Sequence, residues 1–422
     1  MRWLLAVGIA MIGASAPVVA EHGLQPVGSW FAGRTAQHPR VRPGIDVLLA
    51  DSAHLVAGRR VGLITNQTGV DAAGVRTIDR LAGVAGVTLA AIFAPEHGIR
   101  GNLAPGEAVA DTVDLRTGVP IYSLYGANRA PTRNQLARLD VLIVDLQDVG
   151  ARTFTYVSTT LVAMRAAQAA GVRIVVLDRP NPIGCLMQGP VLDTVYASFS
   201  LGMLPVPLRH GLTIGELARF ANTELGIGAD LVVVPVQGWR RCDWFDRTGL
   251  PWVRPSPNLP DLAALAWYPG TVLFEATNLS VGRGTDAPFR QLGAPWLRTR
   301  PLRQMLHSAG LEAQEVRFTP AAPGDGRFDG VAVAGIRLPP LRPSDGDPVA
   351  VAVWLLDALA AQQPDSFRLD TLGLFRRLGV RIDPGHTGVC NAIDCDDWRS
   401  FRWEDQVNRF RRRARPYLLY QR

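Results

Sequence analysis

The sequence predicts an α/β protein: a Rossmann-like, doubly wound parallel sheet followed by a second, smaller α/β domain. Three observations carry that reading. Short runs such as Asp140-Val-Leu-Ile-Val-Asp145 and Val172-Arg-Ile-Val-Val-Leu177 show little polar alternation, which marks strands covered on both faces. Helix-like stretches separate these runs at the spacing of parallel crossovers. Acids and amides, instead of plain turn residues, follow the strands, and the carboxyl edge of an open α/β sheet is where ligands bind.

In chain order, Met1-Arg2, the apolar run Trp3 to Ile12 and the small residues ending Val18-Val19-Ala20 have a signal-peptide layout over 1–20. It is too short for a spanning helix. Cleavage after Ala20 is expected, with an uncleaved anchor as the alternative, so the protein is expected to be exported, periplasmic or secreted. Residues 21–43, rich in Gly, Pro and His, read as an exposed lead-in. The first domain is expected over 44–265. Ile45 to Leu49 begins an apolar-patterned segment, and Arg60 to Thr65 is a strand ending at Asn66. Thr77 to Ala82 is a short helix, and the β-branched run Val87 to Phe93 is a buried strand. Pro95 ends its pairing, and Gly98 and Gly101 permit a tight path for Glu96, His97 and Arg100.

Gly118 to Tyr125 holds a short strand, Gln135 to Leu139 a helix, and the run into Asp145 a third buried strand. Gln147, Asp148 and Arg152 follow it. A long helix from Tyr156 to Ala170 is stopped by Gly171. The next strand ends in Asp178-Arg179-Pro180-Asn181. Thr213 and Glu216 form a capping box at the head of a helix to Glu224, which gives Glu216 a structural role. Leu231 to Val236 is the next strand. From Gly238 to Pro269 the chain is rich in Trp and Pro with few regular patterns, and reads as the passage into the second domain, 266–422. There Thr271 to Glu275 is expected as a strand, followed by the glycine-punctuated loop to Thr285. Helices at Leu302 to His307 and Pro348 to Ala361, strands at Glu315 to Phe318 and Val331 to Leu338, and a basic C-terminal helix complete it.

Composition sets bounds. The 422 residues are 47% hydrophobic, which suits a globular chain with two cores. The net charge is +7, and all 44 residues counted as Lys or Arg are arginine. An arginine excess suits an anionic polymer or simply codon bias, and the aromatic-interleaved basic patches of nucleic-acid binders are absent. No nucleic acid, cofactor or membrane contact beyond the signal segment is expected. Cys185, Cys242, Cys390 and Cys395 permit three full disulfide connectivities in an exported protein, with buried free thiols as the alternative. Cys390 and Cys395 are close enough to pair locally. Scattered histidines argue against a metal site. No G-x-G-x-x-G, P-loop or G-x-S-x-G follows a strand, so dinucleotide, NTP and serine-hydrolase readings lack support.

The strings GLITNQTGV (62–70), FAPEHGIRG (93–101), YSLYG (122–126), DLQDVGARTFTY (145–156), LDRPNP (177–182), HGLTIGELA (210–218), SPN (256–258), EATNLSVGRGT (275–285) and GAPW (293–296) resemble the exo-β-N-acetylmuramidase family. The resemblance runs from about Gly44 to the terminal Tyr-Leu-Leu-Tyr. It implies an active site in the cleft between the two domains. It also implies release of N-acetylmuramic acid from the non-reducing ends of peptidoglycan glycans, with glycan fragments as the partner. On the matching motif Glu96 becomes the catalytic acid, assisted by His97 and Tyr156. The residues support this: a glycosidic oxygen leaves poorly unless protonated, and Phe93 and Pro95 shield this carboxyl.

A second group is open between Asp145, Asp148, Asp178 and Glu275, with Glu275 favoured for closeness across the cleft. The substrate's own acetamide is the alternative. The lactyl carboxylate needs a cation, for which Arg100, Arg152, Arg179 and Arg283 are the candidates. An ion pair with Asp148 or Asp178 is the plainer role for each of these arginines. The same motifs imply substrate contacts at Asn66, Tyr125, Gln147, Asn181, His210, Asn258, Asn278 and Thr285. A different class, a periplasmic receptor that binds muramyl sugars without turnover, also fits two domains around a cleft.

Overall fold

The structure is a computed structural model and describes residues 40–103, 107, 111–126, 128–341, 346–369 and 403–421. The signal-peptide reading, most of the lead-in, and Cys390 and Cys395 lie outside these residues. Helix α1 (Gly44–Asp51) precedes strand β1 (Arg60–Thr65), helix α2 (Thr77–Ala82) and strand β2 (Thr88–Ala94). Then come β3 (Thr112–Val113), β4 (Pro120–Ser123), the short α3 (Arg133–Leu136), β5 (Val141–Asp145), α4 (Thr155–Ala170) and β6 (Arg173–Leu177). A ribbon of β7 (Gln188–Val191) and β8 (Pro207–Arg209) leads into α5 (Ile214–Glu224) and β9 (Leu231–Val234).

The main sheet has seven strands in the order β3-β4-β2-β1-β5-β6-β9, all parallel except β3. From β1 the chain steps outward through β2 and β4, then returns to β5 on the other side of β1. The order therefore reverses between β1 and β5, where Thr65 sits opposite Asp145. Such a reversal opens a crevice at the carboxyl edge. Side chains alternate across the sheet. Val141 and Ile143 of β5 join Leu63, Ile92 and Val175 under α1 and α2, with Ile45, Leu48, Ile78 and Leu81. Leu142 and Val144 face the other way, with Phe93 and Val176, toward Leu161 and Met164 of α4 and Leu217 and Phe220 of α5. All five β5 residues are buried, which explains the unbroken apolar run.

The second half adds α6 (Leu262–Thr271), β10 (Gln291–Ala294), α7 (Thr299–Ser308), β11 (Gln314–Phe318), β12 (Val333–Arg337), α8 (Pro348–Gln362) and α9 (Glu404–Ala414). Strands β10, β12 and β11 form a small antiparallel sheet. Helices α6 and α8 are almost wholly buried, and Trp267, Leu265, Leu355 and Leu356 continue the same apolar cluster as α4 and α5. Each fully buried Leu or Ile in it is worth about 1.5–3 kcal/mol of transfer free energy.

Two expectations are corrected here. The run Thr271 to Glu275 is helical: α6 ends at Thr271 and a 3-10 turn, Val272–Ala276, follows. An apolar run that short has no period to separate a strand from a buried helix. The Thr271 hydroxyl bonds back to the Trp267 carbonyl at 3.0 Å and serves the helix. The tract 238–269 is also less irregular than its Trp and Pro content suggests. Asp261 caps α6 by accepting from the Ala264 N–H at 2.8 Å, and Pro269 lies within that helix. Cys185 and Cys242 form a disulfide across 57 positions, which by loop-closure entropy is worth about 4 kcal/mol.

Candidate active site

The start of α4 and the two residues before it build the site. Three hydroxyls there reach three different parts of the chain. Thr155 Oγ1 donates to Glu96 Oε2 at 2.8 Å. Tyr156 Oη accepts from Asn66 Nδ2 at 2.6 Å and donates to the Pro255 carbonyl at 3.0 Å. Thr153 Oγ1 donates to Tyr268 Oη at 3.3 Å. One helix start therefore ties the ends of β1 and β2 to helix α6.

The loop after β2 is tight. His97 is at φ 70°, followed by Gly98 at 71°, and Gly101 at 66°. Gly101 takes a left-handed conformation that favours glycine, and a Cβ there would meet the end of the Gln67 side chain at 2.0 Å and push it aside. The His97 ring is buried, and its Nδ1 lies 2.8 Å from the Leu103 carbonyl. A carbonyl only accepts, so Nδ1 carries the proton and Nε2 keeps a lone pair. Burial holds the His97 pKa below its ordinary value and the Arg283 charge adds to this, against the Leu103 bond and the Glu96 charge. His97 is therefore neutral near pH 7. Glu96 itself is half-buried, and among the described residues its Oε1 has no protein partner.

The facing wall comes from the second half. Burial raises the Tyr268 pKa, with the charges of Glu275 and Glu96 adding to it, so this hydroxyl stays protonated. Its ring stands edge-on to Phe289 at 4.8 Å. Arg283 lies over the same Phe289 at 5.0 Å and holds Glu275 Oε1 through Nε at 2.6 Å and NH2 at 2.5 Å. Arg327 donates to the carbonyls of Phe274, Leu279 and Glu275 at 3.3, 3.0 and 2.8 Å, fixing the turn that carries Glu275.

The expected residues separate into three groups. Glu96, His97, Tyr156, Asn66, Glu275 and Arg283 are gathered around α4 and the facing wall. Tyr156 is fully buried with its hydroxyl engaged twice, and burial, then the Glu96 charge, raises its pKa. It braces Asn66 and does not present a proton.

Asp145, Asp178, Asp148, Arg152, Arg179, Gln147, Asn181 and His210 are buried structural groups. Arg179 grips Asp145 at 2.6 and 2.9 Å, and Thr77 Oγ1 adds a third bond at 2.5 Å. Asp178 accepts from Thr213, Tyr420, Gly215 N and Arg179 N. Arg152 spends its guanidinium on the carbonyls of Pro190, Val206 and Leu201, and burial pushes its pKa down to about 9. His210 Nε2 lies 3.2 Å from Asp148 Oδ2, Gln147 binds the carbonyls of Asp148 and Pro180, and Asn181 binds that of Leu212. Asn278 pins Ser366 and Arg368, and Thr285 closes its own turn on Gly282. Asn258 N bonds Ser256, Tyr125 is half-buried on its loop, and Arg100 is exposed.

Thr153, Thr155, Tyr268 and Arg327 were not anticipated from the sequence. The two threonines lie inside the DLQDVGARTFTY string, within one turn of Tyr156, which is a usable signal. Tyr268 and Arg327 carry none. Among the described residues no set of three or more His, Cys, Asp or Glu converges on a metal position. A cavity of about 490 Å³ lies elsewhere, between β7 and α9, lined by Gln188, Asp347, Trp403 and Arg411. Chemistry, and not cavity volume, locates the site.

Residues 61–263 match the family described as exo-beta-N-acetylmuramidase NamZ, N-terminal, and residues 266–420 its C-terminal counterpart. The peptidoglycan beta-N-acetylmuramidase NamZ of Bacillus subtilis (strain 168) is 39% identical over 394 residues, covering 92% of this chain and 93% of that one. Two crystal structures of DUF1343 family proteins from Bacteroides fragilis NCTC 9343 are similar throughout. One has a TM-score of 0.76 at 32% identity and the other 0.64 at 31%, each covering 90% of this chain and 99% of its own.

Proposed function

The chain belongs to the exo-β-N-acetylmuramidase NamZ family and is a glycosidase, and we propose that it releases N-acetylmuramic acid from the non-reducing ends of peptidoglycan-derived glycans. We place this activity in cell-wall turnover, carried out by an exported protein, as the signal-peptide layout of 1–20 suggests.

One observation carries the reading. Of the acids at the strand edge, Asp145 and Asp178 are fully buried and bonded several times over, whereas Glu96 is half-buried with one oxygen on Thr155 and the other without a protein partner among the described residues. Of these three it is the acid able to meet a substrate. Glu96 gives its proton to the glycosidic oxygen as the bond to the anomeric carbon breaks, and the aglycone leaves as an alcohol. The electron-poor anomeric carbon takes the oxygen of water directly, or first that of the sugar's acetamide, whose oxazolinium ring water then opens. Either way the water's hydroxyl stays on the anomeric carbon and its released proton offsets the one Glu96 gave, which Glu96 regains from solvent. Thr155 fixes the carboxyl plane. His97 beside it is neutral and adds no positive charge next to the carboxyl.

A chromogenic β-N-acetylmuramide tests this directly. Glu96→Gln is expected to lower turnover roughly a thousand-fold with an unchanged thermal midpoint. Near-normal release by the variant would remove Glu96 from the chemistry. Saturable sugar binding without any release by the wild type would instead point to a receptor.

A further inference from the structure

Of the arginines at the polar edge, only one is oriented by the protein yet keeps a donor edge to spare. Arg152 is spent on three backbone carbonyls, and Arg179 on Asp145 and the Val70 carbonyl. Arg100 is exposed. Arg283 uses Nε and NH2 on a single oxygen of Glu275, a side-on grip. Among the described residues its NH1 has no protein partner, so the NH1/NH2 end of the fork is left open. That end has the spacing to hold both oxygens of a second carboxylate. Phe289 lies under the guanidinium at 5.0 Å and fixes its plane.

We propose that Arg283 reads the lactyl carboxylate that distinguishes a muramyl sugar, and that Glu275 is the built-in counter-ion that aims the guanidinium and not a reacting carboxylate. This rests on the muramidase reading above and deepens it. Glu275 is well suited to a fixed counter-ion: Arg327 clamps its own carbonyl and those of Phe274 and Leu279. Arg283 anchors the Glu275 carboxylate through Oε1, whose lone pairs are directed at the guanidinium, while Oε2 has no protein partner among the described residues. The side chains of Arg283 and Glu275 are only 15% and 29% exposed, so the fork is partly desolvated and discriminates more strongly than it would in water. A sugar bearing a plain hydroxyl at that position would leave the open edge unpaired, which is how a site built around a polar group rejects an analogue lacking it. The nucleophile then falls to the acetamide or to water.

The test is calorimetry with N-acetylmuramic acid and N-acetylglucosamine, run beside turnover of the matched chromogenic glycosides. Arg283→Lys keeps the charge and loses the fork. It is expected to bind the muramyl sugar ~30–100-fold more weakly, with the kinetic loss in KM, while affinity for N-acetylglucosamine shifts less than ~3-fold. Equal weakening for both sugars, or none, overturns the proposal and leaves hydrolysis standing. So does a wild type that binds the two sugars alike. A muramyl preference abolished by Arg283→Lys, in a protein that hydrolyses neither glycoside, keeps this proposal and sinks the hydrolytic one.

Glu275→Gln separates aiming from reacting. An aiming role predicts a rise in KM for the muramide with kcat lowered ~10-fold or less, whereas a ~1000-fold fall in kcat on both glycosides overturns the assignment.

Discussion

Asp145 and Glu96 follow neighbouring regions of the same sheet and look alike in the sequence, each an acid at the end of an apolar run. Their surroundings differ completely. Asp145 is fully buried and accepts from Arg179 twice and from Thr77. Glu96 is half-buried and accepts from Thr155 alone among the described residues. The difference lies in what stands opposite. Asp145 ends a central strand, where β6 and the α2 helix crowd it with donors. Glu96 follows β2 on a glycine-bordered loop facing the second half of the chain. A strand-end acid that is saturated with bonds maintains the fold, and one that is left under-coordinated is free for chemistry.

The sharpest way to break this contrast is to remove the saturated acid. Asp145→Ala leaves the Arg179 guanidinium buried with only the Val70 carbonyl, and breaking such a pair from one side costs ~3–5 kcal/mol. The expected result is a large fall in the denaturation midpoint, with the surviving folded protein still releasing aglycone. Glu96→Gln should give the reverse pattern. A variant of Asp145 that stays stable but loses turnover would show that the two acids are not divided in this way.

Asp178 sharpens the same contrast through pH. Burial raises its pKa to about 6 from an ordinary 3.8, with Thr213, Tyr420 and Gly215 N–H bonds opposing and the Glu216 charge adding. The folded state therefore binds this proton more tightly than the unfolded chain. Its contribution to stability is complete below 3.8 and is lost as pH rises through about 6. The loss is on the order of 3 kcal/mol. The unfolding free energy of wild type, measured between about pH 4 and 7, should fall with rising pH by up to that amount, and Asp178→Asn should flatten the slope. An unchanged slope in the variant would assign it to other groups.

The sheet was legible because its strands are buried on both faces and so carry no alternation, as in Val141–Asp145. The capping box at Thr213 and the left-handed stop at Gly171 were legible because each is a local device with its own residue signature. The α6 helix was not, since Trp and Pro obscure its period and its stability comes from packing on α8 in the shared core. Glu96, His97 and Arg283 could be singled out as candidates. Which arginines remain able to meet a ligand could not. Arg152 is bonded to the carbonyls of Pro190, Val206 and Leu201, and backbone carbonyls leave no trace in side-chain identity. The same holds for Arg327 and the turn that carries Glu275. Long-range bonds to the main chain decide the division between structural and available groups.

The smallest expected effect tests how far Glu96 depends on its one bond. Thr155→Val is nearly isosteric and removes the hydroxyl that donates to Glu96 Oε2 at 2.8 Å. If that bond only holds the carboxyl plane, its loss is worth about 1 kcal/mol of positioning, which is roughly a five-fold fall in kcat. KM and the thermal midpoint should hardly move, because the rest of the α4 start, including Tyr156 on Asn66 and Pro255, remains intact. A fall as large as that of Glu96→Gln would mean that Thr155 belongs to the proton path itself. No fall at all would mean that the loop geometry around His97 and Gly101 holds Glu96 unaided. Either result would move the boundary between the saturated and the available acids by one hydroxyl.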